Sequence, residues 1–266
     1  MQNINPIFIL QPLIVIIFSS VLMLYWYKKR RFHSMIWLYT LIAYGVAIAL
    51  KYVIQIPSIG FVNGLDNPYI LGMYYGLQTV FFEVGLAYAI AYLAAKRGNL
   101  ERKDAEAYGS GLAFWENAAL LSALSLVNLI AYYFILSSSS SLADTLYSQL
   151  SQGAPGLFAS NVDALGVVAI GCVERVSSMM IHVAWGYLCV MAVLHRNKRL
   201  FLIALPMGLI DFIVPFAVDI GVAPFEAIIF GLAALSVVVA WFVTSNLRKN
   251  PEPQISTEPT ITAVPI

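Results

Sequence analysis

Charge is scarce in this sequence: Asp, Glu, Lys and Arg make up 11% of 266 residues, against 60% hydrophobic. Soluble globular domains average about 25% charged residues, so a water-soluble fold is excluded and the chain reads as an integral membrane protein. Cysteine is nearly absent. Cys172 and Cys189 fall within one apolar stretch, which leaves no disulfide framework and no thiolate metal knuckle; both are expected as small buried side chains. With a net charge of +1 and no basic patch beyond what topology explains, nucleic acid is excluded as a partner. No charged region precedes the first apolar run and no small-x-small cleavage site follows it, so a retained first span is expected rather than a signal peptide. An internal repeat of the kind found in inverted-topology transporters is also missing.

What the chain has in abundance is apolar runs. A helix needs about 20 apolar residues to cross a bilayer, and the sequence supplies seven: 7–27, 35–56, 69–95, 107–136, 162–194, 200–219 and 223–244. Their direction follows from the 15 Lys and Arg, all of which except Lys51 and Arg175 lie after the first, third, fifth and seventh runs. By the positive-inside rule the N-terminus is outside and the C-terminus cytoplasmic. The expected architecture is therefore an all-α, multi-pass bundle of about seven transmembrane helices in the cell membrane. One transmembrane domain covers 1–250, and a Pro- and Thr-rich cytoplasmic tail over 251–266 is expected to be disordered. The segment 57–68 reads as a turn-rich outer loop, and 137–160 as a longer one with a short amphipathic piece near 142–150.

Several ionisable residues sit inside these runs. A charge at the centre of a membrane helix costs about 3 kcal/mol, so such residues mark a bundle interior or a water-filled cavity. At a rise of about 1.5 Å per residue, Glu83, Glu116, His182 and Asp211 all fall roughly 14 to 18 Å from the cytoplasmic ends of their spans. Four different helices thus offer an ionisable group at one level, and a shared polar pocket is the economical explanation. Glu174 and Arg175 lie two turns further out; Arg175 shares a helix face with His182 and would offset one or two carboxylates. Acid exceeds base in this set, which suits a metal ion, a bound cation or held protons better than a packing network.

Two chemistries use such a set. In one, Glu83 is the general base that activates a water for attack on a peptide carbonyl, with Glu116, His182 and Asp211 orienting the water or binding a divalent metal such as zinc, and Glu174 with Arg175 as a supporting pair. In the other, the acids relay protons or bind a cation in a proton- or cation-coupled transporter.

The order and spacing of four short motifs favour the first. They are Phe82-Glu83-Val84-Gly85-Leu86-Ala87, then Gly109-Ser110-Gly111 leading to Trp115-Glu116, then Glu174-Arg175 with His182 seven residues on, then Met207-Gly208-Leu209-Ile210-Asp211. Together they resemble the YhfC-like intramembrane peptidases, distant relatives of the CAAX-processing and PrsW-type membrane proteases. The resemblance implies a polytopic peptidase acting on a transmembrane or lipid-proximal peptide. The sequence departs from the family pattern where Val84 replaces a second Glu, Ala87 an Arg, and Leu112 and Met207 each a His. A non-catalytic member that binds transmembrane segments without cutting them is the alternative this opens.

The remaining polar residues have plainer expectations. Lys51 should snorkel to the headgroups from the outer end of its span, and Asp163, Asp219 and Glu226 should be solvated at outer ends. His33 should be solvated beside the basic cytoplasmic cluster. Trp115 is read as packing rather than a wall of the pocket. Gly171 marks a candidate break in a long span, and Pro206 a candidate bend.

Overall fold

The computed structural model describes residues 3–138 and 140–247, and among these every regular element is helical. Helix α1 spans Pro6–Arg30, α2 Met35–Asn63, α3 Pro68–Lys96 and α4 Arg102–Leu136. A short α5, Ser141–Gly153, leads to α6 (Asn161–Leu194), α7 (Lys198–Ile220) and α8 (Val222–Val243). All of these but α5 are long and apolar enough to cross a membrane, which makes the chain a seven-span, multi-pass membrane protein. The proposed tail, 251–266, lies outside the described residues.

At the end of the bundle that carries the basic loops, the helices close on small residues. A Cβ placed on Gly186 of α6 would sit 2.5 Å from Gly109 Cα of α4, and one on Gly109 would sit 2.8 Å from Val183 Cα. Glycine lets the two backbones touch, as small residues do between membrane helices. Around this contact lie Ala87, Ala91 and Ala94 of α3, Tyr108 and Leu112 of α4, and Trp185 to Leu194 of α6. The loops are pinned below it. His33, expected to be solvated, donates its backbone N–H to Asp104 (2.8 Å) and holds that buried carboxylate through Nδ1 (2.9 Å), because Asp104 caps the start of α4 and needs partners.

The other end is looser. A second cluster joins Ile4 and Phe8 of the N-terminal segment to Leu129 and Leu136 of α4 and Ala164 and Val168 of α6. The amphipathic α5 lays Leu146, Tyr147 and Leu150 on it. Across from this cluster α7 packs on α3, where Gly72 and Gly76 admit the backbone of Phe212.

Three local expectations change. Helix α2 continues through Pro57 to Asn63 where a loop was expected from 57; just past the proline the Ser58 hydroxyl bonds to the Ile54 carbonyl and pairs with Tyr74 of α3 at 2.6 Å, tying this turn to its neighbour. Helix α6 does not break at Gly171; the residue lies in one 34-residue helix and gives room for the Gln11 side chain of α1. The bend expected at Pro206 is instead a 3₁₀ stretch over Leu205–Phe216, bracketed by Pro206 and Pro215.

Candidate functional site

Each of the central residues adjoins the densely packed part of its helix. On α3 Glu83 lies within the buried face that continues through Val84, Ala87, Ala91 and Ala94; on α4 Glu116 follows the buried run from Ala105 to Ala113; on α6 His182 lies near the start of the buried run that ends at Leu194. The top of the core is thus the floor of a site. Both glutamates also ride on π-helical turns, Thr79–Val84 and Trp115–Ser122, wide turns that recur at functional sites.

His182 Nε2 lies 2.7 Å from Glu116 Oε2 and 3.2 Å from Glu83 Oε2, and one donor atom from each residue falls within 4.8 Å of the others. The imidazole is held by its other nitrogen: Nδ1 is 2.9 Å from the Ser178 carbonyl, which can only accept, so Nδ1 carries a proton. Trp185 lies against the ring with centroids 4.2 Å apart. Nε2 therefore faces two carboxyl groups, an arrangement that a shared proton or a bound cation would hold together.

The fourth expected residue, Asp211, joins through two side chains that sequence reasoning placed elsewhere or overlooked. The Thr79 hydroxyl donates to Asp211 Oδ2. Lys51 does not snorkel; its Nζ contacts Glu83 Oε1, lies 2.7 Å from Thr79 Oγ1 and 3.7 Å from Asp211 Oδ2. The reason is helical periodicity. Thr40, Ala43, Tyr44 and Ala47 form the buried stripe of α2, and Lys51 is its next position. That spacing was readable in the sequence.

Glu174 and Arg175 contact each other, and Arg175 reaches Asn117 (3.4 Å) rather than the central acids. Asn117 bonds Ser178 Oγ (3.2 Å), which lies 3.4 Å from Glu116 Oε2, so the pair meets the centre through intermediaries. Glu226, expected in solvent, is 8% exposed, because it falls on the face that α8 turns to α6 beside Phe225 and Ile229. Trp115 packs as expected, donating from Nε1 to the Trp37 carbonyl at 3.1 Å.

These groups line a cavity of about 520 Å³ that reaches from the floor toward the looser end of the bundle, bordered by α2, α3, α4, α6, α7 and α8. Its walls carry the carboxylates of Glu83, Glu116, Glu174, Asp211 and Glu226 against two fixed cations among the described residues, Lys51 and Arg175. The donor set fits a divalent cation on three counts: three ligand atoms converge, the imidazole is oriented by a backbone carbonyl as ligating histidines usually are, and negative charge is in excess.

The sequence profile of YhfC intramembrane metalloproteases matches residues 10–230. No curated protein and no solved structure matches the chain.

Proposed function

The chain belongs to the YhfC intramembrane metalloprotease family, and on that premise we propose that it hydrolyses peptide bonds of membrane-embedded or lipid-proximal substrates at the Glu83–Glu116–His182 centre. The observation that carries this reading is the convergence of two carboxylates and one oriented imidazole, from three helices, on the floor of a cavity large enough for a peptide segment.

His182 Nε2 and Glu116 Oε2, the closest pair, would hold a divalent metal with Glu83 Oε2 beside them. Such an ion supplies Lewis acidity for attack on an amide carbonyl. The set is weighted toward oxygen, which both zinc and manganese accept. Glu83 is the base. Lys51 anchors its Oε1, leaving Oε2 turned to the point shared by His182 and Glu116. A water there gives its proton to Glu83 as its oxygen bonds to the carbonyl carbon; the same proton then passes to the departing amine nitrogen as the C–N bond breaks. Asp211, tied through Thr79, keeps Lys51 directed at Glu83. Asn117 and Ser178 link Arg175 to Glu116 and set its orientation.

If the basic end is cytoplasmic, as the positive-inside rule indicates, the cavity faces the outer half of the bilayer. The scissile bond of a substrate would then be met there.

Cleavage of a transmembrane reporter and metal content of the purified protein test the reading together. Glu83→Gln should lower cleavage by about 10² to 10⁴ and keep the metal, which His182 and Glu116, the closest pair, would still hold, whereas His182→Ala and Glu116→Gln should lose both. Full cleavage by Glu83→Gln would remove the assigned base; a metal-free, active wild type would remove the metal.

A further inference from the structure

Glu226 is a charge that the peptidase centre leaves unused. It is 8% exposed, faces the same cavity as Glu83, and its Oε2 has no hydrogen-bond partner among the described residues. It lies beyond the first turn of α8, where a helix N-terminus offers an anion little. Lys51 is engaged with Glu83 and Thr79, and Arg175, hydrogen-bonded to Glu174 and Asn117, reaches Glu226 through its field and not through a hydrogen bond. A carboxylate facing the cavity without a hydrogen-bonded cation offers a place that a cationic group of a bound molecule can complete.

Beyond the Glu174–Arg175 pair, apolar side chains share the cavity with it. Val214 and Ala217 of α7 and Phe225 and Ile229 of α8 line this arm of the cavity, and Val214 is 49% exposed. Here α7 packs on α3 while α8 packs on α6, and the two meet chiefly near their connecting turn at Gly221, so the arm lies in the cleft where they part. An aliphatic lining that ends in a carboxylate matches a side chain with an apolar stem and a cationic head.

We propose that this arm is a recognition subsite for a Lys or Arg side chain of a membrane-inserted peptide substrate. The stem lies along Val214, Phe225 and Ile229, and the head pairs with Glu226. The inference deepens the peptidase reading and rests on it, and it assigns to Glu226 selection rather than chemistry.

Binding separates the two claims. Full-length protein carrying Glu83→Gln, so that bound peptide is not cut, is placed in nanodiscs and titrated with labelled Leu/Ala transmembrane peptides. Each peptide bears one Lys at a different depth and is paired with a twin bearing norleucine there. At least one Lys peptide should bind roughly tenfold tighter than its twin. Adding Glu226→Gln should erase that difference while norleucine binding stays unchanged, which also shows that the variant is folded; Glu226→Asp should keep part of it. Equal binding within every pair, or a Lys preference that survives Glu226→Gln, overturns the subsite. Loss of the peptidase reading would appear instead in the wild-type cleavage assay, with the Lys preference intact.

Discussion

The two ends of α6 live in different solvents. From Met179 to Leu194 the helix is almost wholly buried against α3, α4, α7 and α8; from Asn161 to Ser178 it is largely exposed or half-buried, and its polar residues border a cavity. The same contrast runs through α4, whose glycine-rich start touches α6 and whose later turns carry Glu116 and diverge. Dense packing at the basic end fixes the three helices that carry the central residues, and the loose end leaves room above them. A polar centre inside a membrane needs both: a rigid base to hold like charges close, and a volume that something can occupy.

Four substitutions would break or sharpen this contrast. The largest effect is expected at Gly186→Val, where the new side chain meets the Gly109 backbone; the cost is on the order of 4 kcal/mol, read as loss of the folded fraction in detergent melts. A mild shift there would show that the packed end yields. Next, Glu83→Gln should lower cleavage by about 10² to 10⁴, and it should also lower the melting temperature, because Lys51 and His182 lose the carboxylate they pair with. Third, Lys51→Met leaves Glu83 and Asp211 without their cation. It should destabilise by about 2 kcal/mol, less than for a dry pair because the cavity admits water, and added divalent cation should restore more stability to the variant than to the wild type. The smallest effect is expected at Gly166→Ala. Nothing lies within 4 Å of the added Cβ at the loose end, so the change should stabilise by about 0.5 to 1 kcal/mol through helix propensity alone.

Much of this was legible in the sequence, and the residues say why. Apolar length located seven spans whose ends differ from the structure by up to seven residues, the most at the end of α2, and a common depth picked out Glu83, Glu116 and His182, which meet. Depth says nothing about rotation, however. Lys51 and Glu226 were placed by distance from a span end, whereas their fate was decided by the helix face they occupy. Rotational position was available for Lys51 from the Thr40–Ala43–Tyr44–Ala47 stripe. It was not available for the 3₁₀ stretch around Asp211, whose turn angle breaks the α period. The departures from the family pattern also have a physical side: Val84 and Leu112 are buried in the small-residue core, and Met207 packs against it.

The π-helical turns under Glu83 and Glu116 imply something about how such a centre can be gained or lost. A wide turn holds one more residue than a regular one, so removing a single residue from Thr79–Val84 would let the helix relax to ordinary pitch at almost the same length. The turns on either side of the deletion would keep their relative orientation, but the side chains within the former wide turn, Glu83 among them, would be aimed anew. The spatial arrangement of the acids is therefore written in backbone count as much as in residue identity, and an alignment that slides past one gap there would pair the right letters with the wrong geometry.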